Sequence, residues 1–232
     1  MKNILLIGGS YGIGLAIAKE LQFENNVYIA SRSNENLADV NATHIAFDAT
    51  TDTIDTSKLP AVIDGLVYCP GSINLRPFKG LKPEAFETDL QINFLSLVKV
   101  IQSVLPNLLA SEQASIVAFS SVAATMGMPF HTSVAASKGA IEGFAKALAA
   151  EYAPKIRVNV IAPSLTDTPL ADKFLNNETK QEKSAERHPL KRFGKPEDSA
   201  QMATFLLSDK SSWISGQIFH VDGGMSTLLV NG

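Results

Sequence analysis

Apolar residues follow two alternating patterns along this chain. Short apolar-rich runs bounded by glycine, proline or serine alternate with longer segments in which apolar residues recur every three or four positions. The short runs are typical of buried strands in a parallel sheet, and the longer segments predict amphipathic helices. The predicted strands are residues 4–7, 27–30, 44–48, 65–69, 116–119, 157–162 and 217–221. The predicted long helices cover residues 13–21, 83–109, 133–152 and 196–208.

This alternation of strands and helices predicts an α/β protein. The chain has 232 residues and shows no internal repeat and no linker, so we expect one domain over residues 1–232. Parallel neighbours require crossover connections, which place helices on both faces of the sheet and give a doubly wound arrangement. Residues 50–60 lack a helical stripe, so the third crossover is expected to be short or irregular. The polar segment at about 164–190 follows the sixth strand and is expected to form a mobile substrate lid.

A glycine-rich turn separates the first strand from the first helix. Glycine lets the backbone turn sharply and approach a bound group closely, and the first N–H groups of a helix are unpaired and electropositive. We interpret the turn as a cradle for the pyrophosphate of a dinucleotide, with a purely structural tight turn as the alternative. The residues assigned to this cradle are Gly8, Ser10, Tyr11, Gly12, Ile13 and Gly14.

The end of the second strand is where a dinucleotide fold senses the adenosine ribose. An acidic residue there would bind a free 2′-hydroxyl, whereas an arginine would pair with a 2′-phosphate. The acid is absent and Arg32 is present, which favours NADP(H) over NAD(H), with Ser31 and Ser33 as further donors. An exposed loop arginine is the alternative interpretation. At the end of the third strand we place Asp48 and Ala49 beside the adenine, where Asp48 would accept from the amino group or merely cap the strand.

Composition and charge narrow the classes of function. Lys and Arg total 20 against 23 Asp and Glu, a net charge of −3, so neither nucleic acid nor a membrane surface is an expected partner. The apolar run at the amino terminus is too short for a signal peptide, and we expect a cytoplasmic protein. Cys69 is the single cysteine and the four histidines are scattered, so no disulfide and no metal site is predicted.

Several segments match one known family in the right order. They are GGSYGIG at 8–14, SKGAIEGFAKALAAEYAP at 137–154, RVNVIAP at 157–163 and RFGKPEDSAQMATFLLSDKSSWISGQIFHVDGG at 192–224. With Asp48, Asn93 and the pair Ser120–Ser121, the chain resembles the classical short-chain dehydrogenase/reductase family over nearly its full length. The resemblance implies a seven-stranded Rossmann fold, a nicotinamide cofactor, a small carbonyl or alcohol substrate, and a homotetramer or homodimer.

The same resemblance implies a catalytic set. Hydride reduction of a carbonyl creates alkoxide charge, so a site needs one group to hold the oxygen and an acid to protonate it. The family uses a serine, a tyrosine thirteen residues later, a lysine four beyond, and an asparagine from a long helix. Ser121 matches the serine, Lys138 the lysine that holds the nicotinamide ribose, and Asn93 the asparagine of the proton relay. The tyrosine position is Val134.

Val134 removes the general acid of the family. Valine neither donates nor accepts a proton, and loss of such a group costs about 10²- to 10⁴-fold in rate. A replacement donor would be His131 or Ser133, just before the helix, or a water reached through Asn93 and Lys138. His131 is the best of these chemically because it changes protonation near neutral pH, although a lone loop histidine is commonly only a surface residue.

Other positions also bear on the cofactor. The resemblance assigns further cofactor contacts to Gly71, Pro163, Thr166 and Thr168. The run Tyr68–Gly71 keeps only the glycine of the family's Asn-Asn-Ala-Gly, and Ser164 replaces a usual glycine, so the backbone contacts there are expected to differ.

Two functions follow from these residues. The favoured one is an NADP(H)-dependent oxidoreductase that interconverts a ketone, such as a 3-oxoacyl thioester, and a secondary alcohol with an altered proton donor. The alternative is a catalytically silent NADP(H)-binding homologue that acts as a sensor or structural partner. A lyase or isomerase on the same fold is a third interpretation, since function depends on the site rather than the scaffold.

Overall fold

The computed structural model describes residues 1–230 and has the predicted α/β architecture. Within that range the strands form one parallel seven-stranded sheet in the order β3-β2-β1-β4-β5-β6-β7. The strands are β1 (Lys2–Ile7), β2 (Asn25–Ser31), β3 (Ala42–Ala46), β4 (Gly65–Tyr68), β5 (Ala114–Phe119), β6 (Ile156–Pro163) and β7 (Ile218–Val221). The strand order reverses between β1 and β4, and such a switch point opens a crevice at the carboxyl ends of the strands.

The helices cover both faces of the sheet. They are α1 (Gly12–Leu21), α2 (Pro83–Leu90), α3 (Ser96–Leu109), α4 (Thr132–Tyr152), α5 (Asp172–Leu175), α6 (Glu178–Arg187) and α7 (Pro196–Leu207). On β1, Leu5 and Ile7 pack with residues of α3 and α4, whereas Ile4 and Leu6 pack with residues of α1 and α7. Successive strand side chains point to opposite faces, so a strand buried on both sides must be apolar at every position.

A single π-helical turn, Gln91–Leu95, joins α2 to α3. By length and composition alone the helical segment Pro83–Leu109 would qualify to cross a membrane, with a mean hydropathy of 1.4 over 18 residues. Its apolar side chains have another explanation here, because Leu97, Val104 and Leu108 are buried against the sheet. The apolar stripe therefore serves the core.

The structure confirms the fold and shifts some boundaries. The third strand ends at Ala46 rather than Asp48, because Asp48 begins a turn in which its Oδ1 accepts from the backbone N–H of Thr50. The third crossover contains only a short 3₁₀ turn, Thr56–Lys58, as the missing helical stripe indicated. The expected lid region holds α5 and α6, although the sequence predicted loop and a short helix there.

Candidate active site

A cavity of about 590 Å³ runs along the carboxyl ends of the central strands. It extends from the end of β2, past the turn between β1 and α1, to the end of β5 and the first half of α4. Nearly all of the predicted site residues line it: Gly8, Ser10, Tyr11, Gly12, Ile13, Gly14, Ser31, Arg32, Asp48, Ala49, Gly71, Ser121, Lys138, Pro163, Thr166 and Thr168. Asn93 and His131 are not among its lining residues.

The glycine turn has the geometry of an anion cradle. Gly8 and Gly12 have φ values of 78° and 50°, which favour glycine strongly. A Cβ at Gly14 would lie 2.3 Å from the carbonyl oxygen of Gly8, so the helix can start this close to the strand only with glycine there. At the N-cap of α1, Tyr11 makes no side-chain capping hydrogen bond, which leaves the first N–H groups available. These features fit the pyrophosphate of a dinucleotide.

Polar side chains surround the adenosine end of the cavity. Arg32 is exposed just after β2, and the hydroxyl of Tyr11, another lining residue, lies 2.7 Å from the hydroxyl of Ser33. The hydroxyl of Ser31 donates to the carbonyl oxygen of Ser33 at 2.8 Å and so holds this turn. Hydrogen bonds from Thr50 lower the pKa of Asp48, with a smaller contribution from the charge of Arg32. Asp48 is therefore an ionised acceptor on the same side of the cavity as the arginine.

Lys138 and Ser121 form the opposite end of the cavity. The ammonium of Lys138 is buried and donates to the carbonyl oxygen of Phe119 at 2.8 Å. Burial lowers the pKa of Lys138 to about 8, because the charged form loses its hydration. The hydroxyl oxygen of Ser121 accepts from the N–H of Ala123 at 3.2 Å, so its proton is free to point at a ligand oxygen. Ser120 is directed elsewhere, because its hydroxyl donates to Glu142 Oε1 at 2.6 Å.

Val134 brings a wholly apolar side chain to the cavity wall, at the position where the resemblance to the short-chain dehydrogenase/reductase family implies a tyrosine. His131 lies just before α4, and its Nδ1–H donates to the carbonyl oxygen of Pro129 at 2.7 Å. The structure therefore does not bring His131 into the lining of the cavity. A role for His131 as the replacement donor stays a prediction.

Asn93 lies behind the cavity rather than in it. It is completely buried in the π-helical turn, and its Nδ2 donates to the hydroxyls of Ser72 at 2.9 Å and Ser137 at 3.0 Å. A Cβ at Gly71 would lie 3.2 Å from Asn93 Oδ1 and 3.3 Å from Lys138 Nζ. The absence of a side chain at Gly71 thus lets Asn93 and Lys138 lie close against this loop.

Two polar residues of this region, Ser72 and Asp89, were not predicted from the sequence as site residues. Ser72 lines the cavity, and its hydroxyl donates to Asp89 Oδ1 at 2.5 Å. Asp89 is buried and also accepts from the hydroxyl of Ser133. A signal for Asp89 existed, since it is a charged residue four positions before Asn93 in an otherwise apolar helical stripe. Nothing in the sequence pairs it with Ser72.

Comparisons with known proteins identify the family of this chain. The model of the family described as enoyl-(acyl carrier protein) reductase matches residues 8–226. The chain is 32% identical over 241 residues to the 3-oxoacyl-(acyl-carrier-protein) reductase FabG of Thermotoga maritima, covering 97% of each protein.

Solved structures of two dehydrogenases are similar to this chain in fold. The ligand-free aldohexose dehydrogenase of Thermoplasma acidophilum is similar with a TM-score of 0.89 and 27% identity, over 100% of this chain and 96% of that one. The gluconate 5-dehydrogenase of Burkholderia cenocepacia, in complex with NADP and tartrate, has a TM-score of 0.89 and 25% identity over 98% and 96%. With the family model spanning almost the whole chain, this protein belongs to the classical short-chain dehydrogenase/reductase family of oxidoreductases.

Proposed function

We propose that this chain is an NADP(H)-dependent oxidoreductase that interconverts a ketone and a secondary alcohol without a tyrosine proton donor. The observation that carries the proposal is one continuous cavity with Arg32 and the glycine turn at one end and Ser121 and Lys138 at the other. The relationship to a 3-oxoacyl-(acyl-carrier-protein) reductase and the likeness to a dehydrogenase solved with NADP support it.

Different residues along the cavity would hold different parts of the cofactor. The free N–H groups at the start of α1 suit the pyrophosphate, and the Arg32 guanidinium suits a 2′-phosphate. Asp48 would accept from the adenine amino group, and Lys138 would donate to the nicotinamide ribose. Bound in this way, the cofactor supplies or removes the hydride.

Two side chains act on the substrate oxygen. The Ser121 hydroxyl donates to the carbonyl and stabilises the negative charge that develops during reduction. The Lys138 ammonium adds positive potential from behind Gly71, and with a pKa of about 8 it is mostly charged at neutral pH. Val134 has no exchangeable proton, so another group must protonate the alkoxide oxygen to give the alcohol.

Apolar residues at the substrate end favour a partly apolar molecule. The cavity is walled there by Ile73, Ile92, Val134, Leu165 and Leu170. Such walls suit the acyl part of a 3-oxoacyl thioester, which is the substrate class we propose. The segment at about 164–190, which contributes Leu165 and Leu170 and includes α5 and α6, is proposed as the lid over this end.

The test combines binding with turnover. We expect NADPH fluorescence titration to give micromolar affinity, with NADH at least about tenfold weaker, because only NADPH pairs with Arg32. NADPH oxidation is then followed with simple ketones, 3-oxoacyl thioesters and an enoyl thioester. Ketone-dependent oxidation supports the proposal, whereas oxidation with the enoyl thioester alone overturns the ketone assignment. Tight NADPH binding with no turnover favours the silent alternative, a sensor or structural partner.

A further inference from the structure

Ser72 connects the cavity to a buried cluster of polar side chains. Ser72 is one of the residues that line the cavity, while Asp89 and Asn93, which contact its hydroxyl, are 1% and 0% exposed. The Ser72 hydroxyl donates to Asp89 Oδ1 at 2.5 Å and accepts from Asn93 Nδ2 at 2.9 Å. The N–H of Ser72 also donates to Asn93 Oδ1 at 3.2 Å, which fixes the position of this residue. A residue of the cavity wall therefore has its hydroxyl held in place by a buried carboxylate and a buried amide.

Burial of the Asp89 carboxylate at this position costs free energy. A carboxylate removed from water destabilises the fold unless it is hydrogen-bonded or paired with a cation. Within residues 1–230, Asp89 forms no ion pair, and its side-chain partners there are the hydroxyls of Ser72 and Ser133. An apolar residue at this buried position would avoid the cost of removing a carboxylate from water. A buried carboxylate that contacts a hydroxyl at the edge of a cavity is instead a typical arrangement for proton transfer.

From this geometry we infer that Ser72 and Asp89 together replace the missing tyrosine as the proton relay of the reaction. Ser72 is the catalytic residue that contacts the substrate oxygen, and Asp89 is the positioning residue that exchanges a proton with it. The inference rests on the proposed ketone–alcohol interconversion and names the proton donor that Val134 lacks.

The proton balance is the same in both directions. In oxidation, the alcohol O–H proton passes to Ser72 Oγ while Ser72 passes its own proton to Asp89 Oδ1, and the carbinol carbon loses hydride to the nicotinamide as the carbonyl forms. In reduction, the carbonyl carbon gains hydride, the alkoxide takes the Ser72 proton, and Ser72 takes a proton from the Asp89 carboxylic acid. Water in the cavity restores the Asp89 proton through Ser72 after the alcohol leaves.

Ser133 provides a matched comparison. Its hydroxyl donates to the same carboxylate from α4, but Ser133, the other replacement donor expected from sequence, is buried and is not among the lining residues of the cavity. Ser72→Ala and Ser133→Ala therefore each remove one hydrogen bond from Asp89, and only Ser72→Ala breaks the route to the substrate. A structural role for Asp89 predicts equal effects of the two variants on activity.

The first measurement is steady-state turnover of the full-length protein with NADPH and its best ketone. We expect kcat to fall about 100-fold or more in Ser72→Ala and in Asp89→Asn, with KM within about fivefold and NADPH affinity within about threefold of wild type. Ser72→Thr, which keeps the hydroxyl, should stay within about tenfold of wild type. The double variant should be no slower than the slower single variant, because both changes break one relay. Ser133→Ala should lose as much thermal stability as Ser72→Ala while losing at most about fivefold in kcat.

A second measurement needs no turnover. The product alcohol cannot react in a complex with NADPH, so its affinity is read from the fluorescence of the bound nucleotide. Ser72→Ala should weaken this affinity about fivefold, because one hydrogen bond to the alcohol oxygen is lost. Ser133→Ala should leave it within about twofold.

The possible outcomes distinguish failure of the proton relay from failure of the proposed oxidoreductase function. Wild-type turnover of ketones that survives in Ser72→Ala or Asp89→Asn overturns the relay and leaves the proposed function standing. Equal losses of kcat in Ser133→Ala and Asp89→Asn assign Asp89 a structural role and also overturn it. A wild-type protein that binds NADPH and reduces no carbonyl overturns the proposed function and the relay together.

Discussion

The ammonium group of Lys138 lies where water scarcely reaches it. The residue is 7% exposed, and its ordinary pKa of 10.5 falls to about 8 by burial. The nearby negative charge that opposes this fall belongs partly to Asp89. A cation kept in this position lowers the stability of the folded chain at neutral pH, which is a physical reason to connect it with chemistry rather than with folding.

Replacing Lys138 with methionine should reveal this effect through its pH dependence. Between about pH 8 and 10.5 the unfolded chain holds a proton on Lys138 that the folded chain has lost, so wild-type stability rises with pH in that window. Relative to Lys138→Met, the free energy of unfolding of wild type should increase by roughly 2–3 kcal/mol from about pH 7 to about pH 10. Urea unfolding of both proteins without cofactor measures the difference. A constant difference contradicts the lowered pKa.

Val134 permits a gain-of-function test. Val134 is 5% exposed and lines the same cavity as Ser121 and Lys138. An aromatic ring at this position would therefore extend into the cavity. We expect Val134→Tyr to raise kcat for ketone reduction at least about tenfold, because a phenol is a proton donor that valine is not. Val134→Phe is the control, since it adds the same ring without the hydroxyl. Equal activities of the two variants would show that the hydroxyl plays no part.

At the scale of elements, the close approach of α1 to β1 depends on Gly14. A Cβ at Gly14 would overlap backbone atoms of Gly8 and Gly9, which cannot move aside as a flexible side chain would. Gly139, inside α4, offers a matched contrast because, among residues 1–230, nothing beyond its own helix and chain neighbours lies within 4 Å of its Cβ position.

Gly14→Ala should therefore lower the free energy of unfolding by at least about 2 kcal/mol and weaken NADPH binding by at least about tenfold. Gly139→Ala should raise the same free energy by about 0.5–1 kcal/mol, because alanine favours a helix interior. Urea unfolding and NADPH titration of the two variants provide the comparison. Similar losses of stability and NADPH affinity in the two variants would mean that the close approach of α1 to β1 does not require glycine at position 14.

The sequence predicted elements better than it predicted the contacts between them. Apolar runs and glycine turns identified every strand, because burial on both faces leaves little choice of residue. The third strand was placed two residues late, since Phe47 continues the apolar pattern after the ladder of β3 has ended. The π-helical turn was not foreseen, because a broad apolar stripe tolerates one extra residue in a turn. The contact between Ser72 and Asp89 joins residues 17 apart on different elements, which no periodicity encodes.

For the whole molecule, exposed apolar side chains bear on assembly. Leu95 is 49% exposed and Leu109 is 40% exposed, both on the helical segment whose other face packs on the sheet. We expect a partner subunit to cover these two side chains, because contact with another protein removes apolar surface from water. A homotetramer or homodimer, implied by the family, remains our prediction.

Charged substitutions on this segment test the assembly. We expect wild type to show the mass of a dimer or tetramer by light scattering, and Leu95→Lys combined with Leu109→Lys to shift it toward the monomer, because buried lysines would oppose association. Phe23→Lys is the control, since Phe23 is 79% exposed beyond the end of α1. A wild-type monomer, or a double variant of unchanged mass, contradicts the prediction.

The π-helical turn has a consequence for how this protein could change over time. Such a turn is equivalent to one residue inserted into an α-helix, and it gives up regular hydrogen bonding where Asn93 meets Ser72. Excising a residue there would restore regular winding with α2 and α3 close to their present orientations, and it would remove the irregular turn that places Asn93 against Ser72. Laboratory selection for heat resistance alone should therefore favour such excisions, whereas selection that also demands catalysis should eliminate them.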